Sequence, residues 1–139
     1  MSLHLMNAAA PKISVKELSE AISYDPDTGC MTWKERPLSH FHDAGKPAWL
    51  RCSLWNGKFA GKPALTCSDP RGYRKGMLNQ KMLWAHRVAI ALSEGEWPVG
   101  EVDHINRDKA DNRRENLRVV SHQENAMNRV QGGKRGPRT

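Results

Sequence analysis

The chain has 139 residues, 38% of them hydrophobic, which limits it to one compact domain or two small modules. Its 22 Lys and Arg residues against 15 Asp and Glu give a formal net charge of +7, which favours a polyanionic partner over a surface whose charge serves only solubility. No apolar run approaches the roughly 18 residues of a membrane span, and three scattered cysteines without a Cys-x-x-Cys pair argue against a zinc finger or disulfide scaffold and suit a reducing cytoplasm.

The first part of the chain predicts a short helix and a strand. Residues 1–11 lack a basic segment before an apolar run, so we expect a disordered N-terminus and no signal peptide. Residues 14–22 predict a helix, because their apolar residues share one face and Ser14 can cap the start. The turn-forming "DPDTG" follows, and a brief strand is expected over residues 30–33.

The middle of the chain predicts a less regular stretch and then a hairpin. Residues 35–71 contain many Gly and Pro residues and indicate a loop-rich, β-containing region. A hairpin is predicted with strands Tyr73–Leu78 and Lys81–Trp84. Its basic residues suit either contact with a phosphate backbone or an ordinary amphipathic hairpin. A helix over residues 85–93 should follow and stop at Gly95.

The C-terminal third predicts a strand, a loop, a second strand and a helix. "GEVDHI" and "LRVV" are the strands, separated by the turn-rich "NRDKADN" and a single helical turn in "RRENL". Ser121 and Glu124 form a capping box, which predicts a helix from about His122 to Arg129. Residues 131–139 are glycine-rich and basic, so we expect a flexible tail.

This unit contains the parts needed to cleave a phosphodiester. His104 is the natural general base because the pKa of imidazole lies near neutrality, and Asn116 is placed to accept a hydrogen bond from one of its nitrogens. Asp103 offers a carboxylate oxygen and Asn125 an amide oxygen, a combination that suits Mg²⁺ or Mn²⁺. Each residue alone also fits a solvated loop of turn and capping residues, so a plain surface loop is the alternative interpretation.

The stretch "VDHINRDKADNRRENLRVVSHQENAMNR" resembles the HNH endonuclease motif in the form found in phage-type and intron-encoded nucleases. "LWAHRVAIALSEGEWPVGE" resembles the segment that usually precedes this motif, and "ISYDPDTGCMTWKER" resembles the N-terminal part of such phage proteins. The resemblance covers the C-terminal half closely and the first third loosely, and it is weakest between residues 37 and 70.

The resemblance implies an α+β fold with a C-terminal ββα-metal module and divalent-metal-dependent DNA cleavage that leaves 5′-phosphate and 3′-hydroxyl ends. It assigns His104 to the general base, Asn116 to orienting that histidine, and Asp103 and Asn125 to the metal, Mg²⁺ or Mn²⁺. Asn112 would brace the loop. Many members of the wider superfamily carry a histidine where this chain has Asn125, which the phage-type branch accepts.

Several other residues are candidates for supporting roles. His122 is an alternative metal ligand or a phosphate contact, because it lies three residues before Asn125 on nearly the same helix face. His86 is expected to be a structural histidine or a DNA contact. Arg87, Arg118 and Arg129 are candidate phosphate contacts, with solvated surface charge as the equal alternative for each.

The sequence therefore predicts a DNA endonuclease, phage or prophage encoded and acting in the bacterial cytoplasm, with DNA as partner and no membrane association. A mixed region over residues 12–80, a candidate for DNA binding, would precede the nuclease module over residues 81–130. A monomer would nick one strand and a homodimer could cut both. The main alternative is a non-catalytic, sequence-specific DNA-binding protein, and a third is a structural protein with a degenerate nuclease fold.

Overall fold

A computed structural model describes residues 13–120 of the chain, and within that range helices and small antiparallel sheets alternate in an α+β arrangement. The elements in chain order are α1 (Val15–Ala21), β1 (Ile22–Tyr24), β2 (Met31–Trp33), a 3₁₀ turn (Leu38–His40), α2 (Ala48–Phe59), β3 (Cys67–Ser68), β4 (Arg74–Leu78), β5 (Lys81–Trp84), α3 (Ala85–Glu94), β6 (Glu101–His104), a second 3₁₀ turn (Arg114–Asn116) and β7 (Leu117–Val120). The expected N-terminal disorder, the capped helix over residues 122–129 and the basic tail lie outside the described residues. No helix within residues 13–120 is long and apolar enough to cross a membrane.

The predicted N-terminal helix and the strand near residues 30–33 form as α1 and β2, whereas β1 was not predicted. The Ser14 hydroxyl accepts a hydrogen bond from the Glu17 amide at 3.0 Å and so caps α1. β1 follows directly and pairs antiparallel with β2, with Tyr24 opposite Met31. We call residues 22–33, the two strands with their connecting turn, the N-terminal hairpin.

The prediction of a loop-rich, β-containing stretch is wrong for its centre, where α2 runs for 12 residues. Pro47 precedes the helix, and the Asp43 carboxylate accepts a hydrogen bond from the Ala48 amide at 2.8 Å. One face of α2 then packs through Trp55 against Trp33 of β2, with ring centroids 5.3 Å apart. This aromatic contact between distant parts of the chain stabilises a helix that the local Gly and Pro signals obscure.

A buried arginine joins α2 to the rest of the fold. Arg36 is 3% exposed, and its guanidinium lies 4.6 Å from the Trp55 ring and 4.5 Å from the Phe41 ring. It also donates to the Asn79 side chain at 2.8 Å and to His40 at 3.2 Å. Asn79 sits in the β4–β5 turn, so one buried cation connects the hairpin tip to α2.

The predicted hairpin is confirmed as β4 and β5, with β3 added at its edge. Asn79 and Gln80 have φ values of 53° and 64°, which both residues of a type I′ turn require. The inward-facing Leu78 and Leu83 are buried, whereas Met77 and Met82 lie opposite each other on the exposed face. The boundary predicted between the mixed N-terminal region and the nuclease module, at residues 80 and 81, falls within this hairpin.

The hydrophobic core is centred on α3, which contacts α1 and the β4–β5 hairpin. Val88, Ala89, Ile90 and Ala91 of α3 are at most 2% exposed, α1 packs against this helix, and Gly95 ends it with a φ of 84°. β6 and β7 then form the two-stranded C-terminal sheet that the sequence predicts, with a 3₁₀ turn directly before β7. Helix α3 also contacts that turn, which anchors the sheet to the core.

Candidate active site

Asp103 and His104 lie at the end of β6, where the strand stops and the loop over residues 105–116, here called the site loop, begins. Asp103 is opposite Arg118 and His104 is opposite Leu117 in the pairing with β7. Neighbouring residues of a strand face opposite sides, and accordingly His104 is 4% exposed while the Asp103 side chain is 25% exposed. The strand ends at His104, as the sequence requires if this pair is to act at one site.

The imidazole of His104 is held by Asn112. The His104 Nε2 lies 2.9 Å from the Asn112 Oδ1, and both residues are buried. An amide oxygen only accepts hydrogen bonds, so Nε2 carries the proton and Nδ1 is left as the basic nitrogen of the neutral ring. Asn112 thus selects the tautomer and the orientation of His104.

The hydrogen bond expected between His104 and Asn116 is not formed. The Asn116 Oδ1 instead accepts from the Asn106 amide, and its Nδ2 donates to the Asn106 side chain and to the Asp111 carbonyl, each at 2.9 Å. These three bonds engage the side-chain amide of Asn116 inside the loop, and Asn112 is the hydrogen-bond partner of the imidazole instead. The contacts expected for the two asparagines are therefore exchanged: Asn112 holds His104 and Asn116 braces the loop.

The rest of the site loop is tied together by short polar side chains. The Asn106 side chain accepts from the Asp108 amide at 2.8 Å, and the Asp108 side chain accepts from the Ala110 amide at 3.0 Å. Arg113 donates two hydrogen bonds of 2.8 Å to the Asp111 carboxylate. This guanidinium holds the pKa of the Asp111 carboxyl well below its usual range. The loop keeps its shape through these side chains without a strand or α-helix.

The N-terminal hairpin presses against Asn112 from outside the loop, a contact that sequence reasoning missed. The Tyr24 hydroxyl donates to the Asn112 carbonyl at 2.6 Å, and the Arg114 amide donates to the Pro26 carbonyl at 2.9 Å. Gly29 has a φ of 81°, and a Cβ there would lie 2.8 Å from the backbone nitrogen of Arg113. Burial raises the pKa of Tyr24 to about 12, so its hydroxyl remains a donor through the neutral range. The sequence "YDPDTG" predicts the turn itself, but no local pattern indicates that this turn contacts the site loop.

Two further rings pack against His104. The His86 and His104 centroids are 5.2 Å apart, and Tyr73 lies 5.1 Å from His86 and 5.9 Å from His104. Burial, and then the nearby His104, lower the pKa of His86 to about 3, so this ring is neutral at ordinary pH. Its Nδ1 is buried and has no hydrogen-bond partner within residues 13–120. His86 thus forms part of the wall behind His104.

The arginines expected to contact DNA are engaged within the protein where they are described. Arg87 donates to the carbonyls of Gly100 and Pro98 at 2.9 and 3.1 Å. Arg118 donates to the Asp103 Oδ2 at 2.9 Å, across the β6–β7 pair. Three of the predicted residues lie outside the described part of the chain: His122, Asn125 and Arg129.

Asp103 is the one predicted metal ligand that lies within the described residues. Mg²⁺ is commonly held by one or two carboxylates and completes its shell with water, so a partly exposed carboxylate beside the candidate base fits that ion. Arg118 bonds one of the two carboxylate oxygens and would share the residue with the metal. Within residues 13–120, no group of three or more His, Cys, Asp or Glu side chains is placed to hold a metal. The predicted second ligand, Asn125, is not described.

Comparison with known proteins finds a family model and a solved structure that are similar to this chain. Residues 83–127 match the family model described as HNH endonuclease, and no curated protein matches the chain. A solved structure described as "DNA binding and cleavage by the HNH homing endonuclease I-HmuI" has a similar fold, with a TM-score of 0.52 and 20% identity. The similarity covers 88% of this chain and 59% of that one, so this chain corresponds to little more than half of the solved protein.

Proposed function

We propose that this protein is a divalent-metal-dependent DNA endonuclease of the HNH type that hydrolyses phosphodiester bonds, a proposal supported by the match of residues 83–127 to the HNH endonuclease family model. The observation that carries the proposal is the buried pair of His104 and Asn112, 2.9 Å apart, at the end of β6 and next to Asp103. In a solvated loop the imidazole and the amide would both remain in water, because burial of polar groups costs free energy unless they are hydrogen-bonded. By resemblance to the phage-type members, we place this activity in the bacterial cytoplasm.

In the proposed reaction, His104 takes a proton from the attacking water through Nδ1 while Asn112 holds the Nε2 proton. His86 and Tyr73 pack on the imidazole and limit its rotation. Asp103, with Asn125, would hold Mg²⁺ or Mn²⁺, which supplies the positive charge that stabilises the leaving 3′ oxygen. The products would carry 5′-phosphate and 3′-hydroxyl ends.

Besides its predicted phosphate contact, Arg118 has the contact of a positioning residue. Its guanidinium bonds the Asp103 carboxylate across the strand pair. Arg118 therefore fixes the direction of Asp103. This position leaves the guanidinium beside the site, where the DNA phosphate would arrive.

Conversion of supercoiled plasmid to relaxed or linear forms tests the proposal. The protein should act on the plasmid with Mg²⁺ and not with EDTA, and His104→Ala should lower the rate by about 10²- to 10⁴-fold. His42→Ala is the matched control, because His42 is exposed and its contact with Arg51 uses only the backbone carbonyl. Its rate should equal that of the parent.

The same assay separates the alternatives. Undiminished plasmid relaxation by His104→Ala would remove the base from the mechanism. Retention of DNA with a steep salt dependence but no metal-dependent relaxation by the parent protein would instead support the non-catalytic DNA-binding protein. The ratio of relaxed to linear product reports whether one strand or both are cut, and hence whether a monomer suffices.

A further inference from the structure

Two partly buried aromatic rings lie beside His104 on the outward face of the β3–β4–β5 sheet. Tyr73 precedes β4, and Trp84 ends β5 opposite Lys75. The two ring centroids are 6.0 Å apart at an interplanar angle of 77°. Tyr73 also contacts His104 at 5.9 Å, so this aromatic pair adjoins the candidate base.

Three cations from three different parts of the fold lie over these rings. The Arg71 guanidinium is 4.8 Å from the Tyr73 centroid, the Lys75 ammonium is 5.7 Å from that of Trp84, and the Lys109 ammonium is 4.9 Å from that of Tyr73. Arg71 belongs to the turn before β4, Lys75 to β4 and Lys109 to the site loop. We call these five residues the aromatic–cation platform.

The position of Arg71 is fixed by the turn that carries it. The buried Asp69 carboxylate accepts from the backbone amides of Arg71 and Tyr73 at 2.9 and 3.0 Å. Its other oxygen accepts two hydrogen bonds from the Arg71 guanidinium at 2.8 and 3.0 Å. The Arg71 side chain nevertheless remains 63% exposed, so its charge faces solvent above the ring.

The turn also packs against the loop that carries Lys109. A Cβ built at Gly72, which has a φ of +99°, would lie 3.9 Å from the Lys109 Cβ. Among the ion pairs of residues 13–120, none involves Lys75 or Lys109. The Lys109 ammonium lies over Tyr73, the ring that contacts His104, and the Lys75 ammonium lies over the adjoining Trp84. Two ammonium groups without an ion-pair partner therefore create a positive potential on this side of the site.

We propose that the aromatic–cation platform binds the DNA sugar-phosphate backbone at the phosphates next to the cleaved linkage. The proposal rests on the proposed nuclease function and adds the residues that position its substrate. Since at least one cation lies over each ring, we assign the rings the task of holding the cations in place, and the cations the contact with DNA. Contacts to phosphates carry no sequence information, so the platform recognises DNA without regard to sequence.

Titration of a fluorescent DNA duplex in EDTA, repeated over a range of salt concentrations, tests the platform without cleavage. The double variant Lys75→Gln/Lys109→Gln keeps two polar side chains, each one bond shorter than lysine, and removes both charges. It should reduce the slope of log affinity against log salt by about 2, one for each phosphate that the variant no longer neutralises. Affinity at low salt should fall by about tenfold, equally for duplexes of unrelated sequence.

The control is Lys46→Gln/Lys58→Gln, which removes the same charge elsewhere. Lys58 is a close match, because its ammonium also lies over an aromatic ring, 5.3 Å from Phe59. A control slope that stays near that of the parent supports the platform. Equal slopes and affinities in the two double variants would overturn it, as would a loss restricted to one DNA sequence.

Arg71→Gln gives a second measurement, although it also leaves the Asp69 carboxylate short of two hydrogen bonds. Thermal unfolding of each variant shows whether it is still folded. Lys75→Gln/Lys109→Gln is the deciding variant, because neither lysine is part of an ion pair within residues 13–120. Metal-dependent plasmid relaxation by the parent with no effect of the platform variants would reject the platform alone. A parent protein that neither binds nor relaxes DNA would reject the proposed function and the platform together.

Discussion

The site loop and α2 are built by opposite means. The loop contains only one 3₁₀ turn of regular structure, yet most of its polar side chains bond another part of the loop. α2 has three turns of regular hydrogen bonding, but none of its twelve residues is buried. Regular secondary structure therefore does not identify the most closely fixed part of this molecule. The loop owes its shape to short side chains that satisfy backbone groups.

The comparison predicts that small changes in the loop and its supports affect function more than large changes on the outer face of α2. The loop places His104 through a single amide, so the loss of one bond alters the candidate base itself. The outer face of α2 contacts mostly solvent, so truncation there removes few packing interactions.

Among changes to the site loop, its supports and α2, the largest effect is expected for Asn112→Ala. Without the amide oxygen, the His104 imidazole loses its fixed tautomer and orientation, and plasmid cleavage should fall by about 10²-fold. DNA affinity measured in EDTA should stay close to that of the parent, because Asn112 is buried and faces the imidazole. Wild-type cleavage rates in a folded Asn112→Ala protein would show that the imidazole is positioned by other groups.

A smaller effect is expected for Tyr24→Phe, which removes only the hydroxyl that supports the Asn112 carbonyl. The free energy of unfolding in urea at pH 8 should fall by about 1 kcal/mol. The pKa of Tyr24 is raised to about 12, so the folded state binds the phenol proton more tightly than the unfolded state does. The stability from this group is fully present below pH 10 and is lost as the pH rises towards 12.

The Tyr24→Phe variant should lack that part of the alkaline loss. The difference in unfolding free energy between parent and variant should therefore shrink between pH 10 and pH 12. A difference that stays constant with pH would mean that the tyrosine hydroxyl is not held in the folded state as described.

The smallest effect is expected for Trp49→Ala on α2. Trp49 is 64% exposed, and its loss should change the free energy of unfolding by no more than about 0.5 kcal/mol. Trp55→Ala on the same helix is the contrasting variant, because Trp55 packs on Trp33 and under Arg36. Urea titration should find Trp55→Ala clearly destabilised. A Trp49→Ala loss as large as that of Trp55→Ala would contradict the assignment of the two helix faces.

The sequence predicted the elements whose signals are local. Ser14 caps α1, Asn79-Gln80 turns the β4–β5 hairpin, and Gly95 ends α3, each through chemistry contained within a few residues. α2 was missed because its stabilising contacts, Trp55 on Trp33 and on Arg36, join residues about twenty positions apart. Turn-forming residues around the helix suggested loops, and tertiary packing overrode them.

The candidate site was predictable in its composition but not in its internal contacts. Asp103 and His104 stand at the strand end as the sequence indicates. The choice between Asn112 and Asn116 as the partner of His104 depends on the path of the loop, which spacing alone does not determine. The bond between Arg118 and Asp103 follows from the strand register, which pairs these residues directly. Register is itself a property of the folded hairpin.

The close approach of Gly29 to the backbone of Asn112 and Arg113 has a consequence for engineering. A fragment that begins after the β4–β5 turn would retain Asp103 and His104 but lose the tyrosine and the glycine surface that support Asn112 from behind. The carboxy-terminal segment is therefore not portable by itself. Transfer of the site to another scaffold must include residues 22–33, or replace the Tyr24 hydrogen bond and the close backbone contact at Gly29.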